Sequence, residues 1–134
     1  MVKIGDQARR WLAFAPAVLY YAGIFWLSSR SHPPSLPSFP LADKVAHVFL
    51  YTGFGAGLRF ACGRFLRERP GAVFGAAFAL GLLGGILDEI HQAFVPLRDS
   101  NVWDAAADAL GVLAGIVIFA WIAVRWRASS RARD

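Results

Sequence analysis

The chain has 134 residues, of which 57% are hydrophobic and only 17% charged, with a formal net charge of +5. Soluble domains of this length carry about 45–50% apolar and about 25% charged residues, so the apolar excess is gathered into runs of the kind that sit in a bilayer. The basic residues flank these runs and form no stripe with interleaved aromatics, which argues against nucleic-acid binding. The single cysteine, Cys62, excludes an internal disulfide and a cysteine-based metal site.

Four transmembrane helices are predicted, at about residues 11–28, 43–63, 72–95 and 102–126, forming one all-α domain over residues 1–134. The first run follows the basic residues Lys3, Arg9 and Arg10. A signal peptide would start the same way, but no small-x-small cleavage pattern follows and the run is long and aromatic. An uncleaved helix is expected, with Pro16 kinking its first half. Residues 28–42 hold four prolines and five serines and read as an extended loop. Asp43 opens the second helix, as a cap or through the macrodipole. A basic turn at 63–71 precedes the third helix, which Pro96 stops. The fourth runs from near Trp103 to near Trp126, and a short basic tail, read as mobile, follows.

Eleven of the fourteen Lys and Arg residues fall at one set of helix ends, and Arg30, Lys44 and Arg98 fall at the other. The positive-inside rule then places both termini in the cytoplasm, with Cys62 on that side. Trp11, Trp26, Trp103 and Trp126 mark helix ends, as an interfacial belt does.

The acids are the more informative set. Six of the nine, Asp43, Asp88, Glu89, Asp99, Asp104 and Asp108, fall at the expected outer end, with His47, His91, Gln92 and Arg98. An ionisable group at a helix centre costs on the order of 3 kcal/mol unless it is paired or wet, so this concentration implies a polar cavity there. Residues four apart share a helix face. Asp43, His47 and Tyr51 make one row. Asp88, His91 and Gln92 make another, above Gly84 and Gly81. Asp104 and Asp108 make a third, above Gly111 and Gly115. The Gly53/Gly57 and Gly111/Gly115 spacings suit close helix approach, so these rows are expected to face inward.

Each polar residue has a structural reading beside its functional one. Asp43 and Asp104 suit helix caps. Lys44 suits snorkelling to headgroups. Asp108 lies too deep to cap. Arg98 either neutralises the acids or binds an anion. His91 is the weakest candidate.

The residues Asp43, Lys44, His47 and Tyr51, then Asp88, Glu89 and Gln92, then Arg98, Asp104, Asp108 and Gly111 form three motifs in order. With the Ser28-Ser29 pair ending the first helix, they resemble the VanZ-like membrane proteins over essentially the whole chain. Leu97 and Asn101 stand where the family often has glycine and a small residue, and Asp108 where it often has asparagine. The resemblance implies a small bacterial membrane protein of the cytoplasmic membrane, in a family whose founding member is linked to resistance to the glycopeptide teicoplanin.

Two functions are consistent with the residues. In the first, the outer cluster binds a polar or anionic headgroup, such as that of a lipid-linked envelope precursor. Lys44, Tyr51, Glu89, Gln92, Arg98 and Asp108 would then line the site, with Tyr51 against the lipid tail. In the second, the chain is an intramembrane hydrolase or transferase with His47 as acid or base, drawing on Asp43, Asp88 or Asp104. A metal held by His47, Asp88 and Asp108 is a weaker variant, since no local metal motif such as HExxH is present. No cofactor and no resident metal are expected. A transporter is disfavoured, because the polar groups lie toward one face rather than at the midplane. The bilayer is the expected partner, and oligomers are open.

Overall fold

The structure, a computed structural model, describes residues 5–32, 39–66 and 69–132. All its elements are helical: α1 (Asp6–Leu12), α2 (Ala15–Ser28), α3 (Ala42–Phe65), α4 (Pro70–Gln92) and α5 (Val102–Arg131). Residues 33–38 of the expected 28–42 loop lie outside the described residues, as do Lys3, Arg67 and Arg133.

The first predicted helix is two pieces. The chain breaks at Ala13 and Phe14, and Pro16 lies in the first turn of α2. Proline lacks an N–H and is tolerated only where a helix begins, so the kink placed in mid-helix becomes a junction. Pro70 opens α4 in the same way, two residues before the predicted start. At its other end α4 stops at Gln92, three residues earlier than predicted, and the turn that follows takes Leu97 through a left-handed backbone conformation (φ 63°). The C-terminal tail is not separate: α5 continues to Arg131 because neither proline nor glycine interrupts the chain after Gly115.

Three segments, Asp6–Ser28, Pro70–Gln92 and Val102–Arg131, are long and apolar enough to cross a membrane. Helix α3 is equally long, but its first two turns carry Asp43, Lys44 and His47, and it packs most extensively against α5. At one end the packing is inside out relative to a soluble bundle. On α4, Leu83, Ile86, Leu87 and Ile90 face outward while Asp88 and Glu89 are buried. An apolar exterior over a polar interior is the arrangement a hydrocarbon solvent favours.

Glycine sets the closest approach. A Cβ on Gly111 would meet the Val48 carbonyl, and one on Gly115 would meet the Thr52 carbonyl, so α5 lies backbone to backbone on α3. Gly57 packs on Ala17 of α2, and Gly85 leaves room for the Asp108 side chain to lie against α4. The interior between these contacts is filled by Ala17, Ile24, Tyr51, Phe54, Leu58, Val112 and Ile116.

Candidate functional site at the acidic end of the bundle

The end of α2, the start of α3, the end of α4 and the start of α5 meet at one end of the bundle. Among the described residues six polar side chains are buried, and all are here: Ser28, Asp88, Glu89, Gln92, Asp104 and Asp108. The opposite end is basic, with Arg59, Arg64 and Arg127 lining a cavity of about 620 Å³.

The acidic end divides into two linked groups. In the first, His47 Nδ1 donates to Asp108 Oδ1 at 2.8 Å. Asp108 is 1% exposed and acceptor-only when ionised, so it holds the Nδ1 proton and leaves the Nε2 lone pair of His47 available. Above this pair, Lys44 Nζ bridges Asp43 Oδ2 at 2.7 Å and Asp104 Oδ1 at 2.6 Å. The Asp104 contact is ionic rather than a well-directed hydrogen bond. Ligand atoms of His47, Glu89 and Asp104 lie within 4.8 Å of one another.

In the second group, Ser28 Oγ donates to Asp88 Oδ2 at 2.8 Å. Gln92 Nε2 donates to Asp88 Oδ2 at 3.2 Å and to Glu89 Oε1 at 3.3 Å. Glu89 also ties down the turn before α5, accepting from the Asn101 backbone N–H at 3.0 Å and from Ser100 Oγ at 3.3 Å. Arg98 closes this side: its Nη2 donates to the Leu27 carbonyl at 3.2 Å and its Nε to the Ser28 carbonyl at 3.4 Å. These are terminal carbonyls of α2, which a cation satisfies well.

Three buried oxygens are left without a partner among the described residues: Tyr51 Oη, Asp88 Oδ1 and Asp108 Oδ2. Tyr51 is fully buried, with its hydroxyl facing Asp88 and near Asp108; the Tyr51–Asp88 contact is close but too poorly directed to count as a formed hydrogen bond. Buried polar atoms are almost always satisfied by protein, water or an ion, so these oxygens are the ones in the cluster with room for a further donor.

The structure therefore brings His47, Asp88, Glu89, Gln92, Asp104 and Asp108 together, with Lys44, Tyr51 and Arg98 at the margins. Several details differ from the sequence reading. Neither Asp43 nor Asp104 caps its helix: α3 begins without a side-chain cap, and Asn101 caps α5 by accepting from the Trp103 N–H at 3.0 Å. Tyr51, expected against a lipid tail, faces inward, because Gly111 lets α5 come down onto it. Arg98 contacts backbone carbonyls rather than carboxylates. His91 lies apart from the cluster, stacked on Phe25 with its Nε2 2.9 Å from Ser29 Oγ. Ser28 is the residue the sequence reading undervalued. Its signal was present: it continues the buried stripe of Ala17 and Ile24 on α2.

No curated protein and no solved structure matches this chain. The VanZ/LLP1 family matches residues 6–123, nearly the full length and including every residue of the site. Apolar helices around a buried acidic cluster, with a family match across all of them, make this chain a membrane protein of the VanZ/LLP1 family.

Proposed function

We propose that the protein binds the polar headgroup of an envelope lipid or lipid-linked precursor at its acidic end. That end faces the extracytoplasmic side of the bacterial cytoplasmic membrane, and both termini are cytoplasmic. The observation that carries this reading is the set of unpartnered buried oxygens on Tyr51, Asp88 and Asp108 within an otherwise satisfied network. The charge balance supports a headgroup rich in donors, such as hydroxyls, amides or amines. Asp88, Glu89, Asp104 and Asp108 are buried together, while Lys44 and Arg98 are already engaged. An anionic part of the ligand would meet Lys44 at the rim, where that side chain is 21% exposed.

Native mass spectrometry of protein extracted gently from membranes tests this. Wild type should retain a specific lipid, and Gln92→Met should lose it, with folded yield measured alongside because the change strips a donor from Asp88 and Glu89. Equal retention by the variant, or no selective lipid on wild type, would overturn the reading.

The His47–Asp108 pair favours a second reading, acid–base chemistry on the bound lipid. With its Nδ1 proton held, His47 offers Nε2 as a base to a hydroxyl or a water. His47→Gln would then keep the lipid and abolish its turnover in vesicles, whereas under pure binding it would change affinity alone.

A further inference from the structure

We infer that His47, Glu89 and Asp104 form a divalent-cation site of the Mn²⁺ or Zn²⁺ class, oriented from behind by Asp108. The site shares Glu89, Asp104 and Asp108 with the proposed headgroup pocket, but the inference concerns what the protein holds before any lipid arrives.

The donor set is one imidazole nitrogen and two carboxylate oxygens, drawn from α3, α4 and α5. This mixture suits Mn²⁺ or Zn²⁺ better than Ca²⁺ or Mg²⁺, which prefer oxygen alone. The ligand atoms lie within 4.8 Å of one another. Around an ion with bonds of about 2.1 Å they would stand about 3.4 Å apart, so the widest pair would close by up to about 1.4 Å. Glu89 and Asp104 are buried, so their ionised forms lack bulk water and gain from a fixed cation.

Two further observations point to a cation rather than to acids merely collected at one depth. The first is the His47 ring. A ligating histidine usually donates its other N–H to a carboxylate, which fixes tautomer and orientation. Asp108, 1% exposed, lies 2.8 Å from His47 Nδ1, so the Nδ1–H tautomer has its acceptor in place and Nε2 is the nitrogen left to ligate. The second is the unmet polarity beneath the triangle. Asp108, one turn below Asp104, carries a buried oxygen, Oδ2, with no hydrogen-bond partner among the described residues. Lys44 is the competing charge: its ammonium lies 2.6 Å from Asp104 Oδ1, and it can withdraw to the more exposed Asp43 when an ion enters.

The test uses tag-free full-length protein in nanodiscs of zwitterionic lipid, stripped with chelator and titrated with Mn²⁺. One tight Mn²⁺ per chain is expected, with nitrogen hyperfine coupling in pulsed paramagnetic resonance that disappears in His47→Gln. Asp108→Asn should weaken binding by about 10- to 100-fold while the nitrogen coupling persists, as expected for a residue behind the ligand. Asp104→Asn should weaken it further. Lys44→Met should tighten it by removing the competing charge. Should Asp104→Asn or His47→Gln fail to fold, the nitrogen coupling in wild type and the sign of the Lys44→Met effect still decide. Absence of saturable Mn²⁺ or Zn²⁺ binding, binding without nitrogen coupling, or weaker binding by Lys44→Met would each overturn the site. Lipid retention measured on the same stripped protein keeps failure of the metal site distinct from failure of headgroup binding.

Discussion

Asp108 on α5 accepts the Nδ1 proton of His47 on α3 at 2.8 Å, and the carboxylate that does so is 1% exposed. The contact joins the two most intimately packed helices of the bundle at the depth where the polar interior begins. The sequence placed both residues on inward rows but could not pair them, since the partners lie 61 residues apart.

The pair should be energetically coupled. Asp108→Ala leaves the His47 donor unpartnered, and a stranded buried group costs about 1–3 kcal/mol. His47→Ala strands the carboxylate in turn. The double variant strands neither, so its loss should be smaller than the sum of the singles. Double-mutant unfolding in mixed micelles should give a coupling near or above about 0.6 kcal/mol, the average for hydrogen bonds between membrane helices, and no more than about 1.7 kcal/mol, their maximum. Additive losses would show the bond to be energetically silent.

Arg98 should behave as a helix-end clamp. Its guanidinium spans the Leu27 and Ser28 carbonyls, and Ser28 in turn donates to Asp88. Arg98→Ala should cost about 1.5–3 kcal/mol, the range for hydrogen bonds to charged groups, and should speed amide exchange at the end of α2. Arg98→Lys should recover part of this, because an ammonium cannot reproduce the two-pronged geometry. Neutralising Asp88 should bring no recovery, since Arg98 does not pair with it. Recovery there would restore the counter-charge role.

Much of this was legible because helical period and burial agree. On α4 the residues at 81, 84, 85, 88 and 92 are buried and those at 83, 86, 87 and 90 exposed, so the polar row could be read directly. The α3–α5 contact was announced by Gly111 and Gly115. Other features depend on tertiary packing. Asp88 and Glu89 are neighbours in sequence, and only the placement of α2 and the 98–101 turn sends Asp88 to Ser28 and Glu89 toward His47. The Arg98 role needs the end of α2, 70 residues away. Helix α5 was ended too early because its last turns are basic, although nothing in them breaks a helix.

Small residues should matter by location rather than by type. At Gly115 a Cβ would run into the Thr52 carbonyl and the Ala56 nitrogen, both backbone atoms that cannot turn aside. Gly115→Ala should therefore cost about 1–3 kcal/mol, as overpacking does. At Gly75 a Cβ meets nothing within 4 Å. Gly75→Ala should stabilise α4 by up to about 1 kcal/mol through helix propensity alone. Unfolding midpoints of the two variants should move in opposite directions, and equal shifts would show that α3 and α5 are not in backbone contact.

The last prediction concerns orientation. If the basic end is cytoplasmic, Arg9, Arg10, Arg59, Arg64 and Arg127 lie inside and the His47 cluster faces outward. Cys62 cannot report this, because it is only 3% exposed and would resist a thiol reagent on either side. Exposed positions can. In a Cys62→Ala background, cysteine at Phe39, 47% exposed near the acidic end, should react with a membrane-impermeant maleimide on intact cells. Cysteine at Ala128, exposed in the last turns of α5, should react only after permeabilisation. The reverse pattern would turn the acidic cluster toward the cytoplasm. A lipid-linked precursor would then have to be met before its export, and any bound cation would be drawn from the cytoplasmic pool.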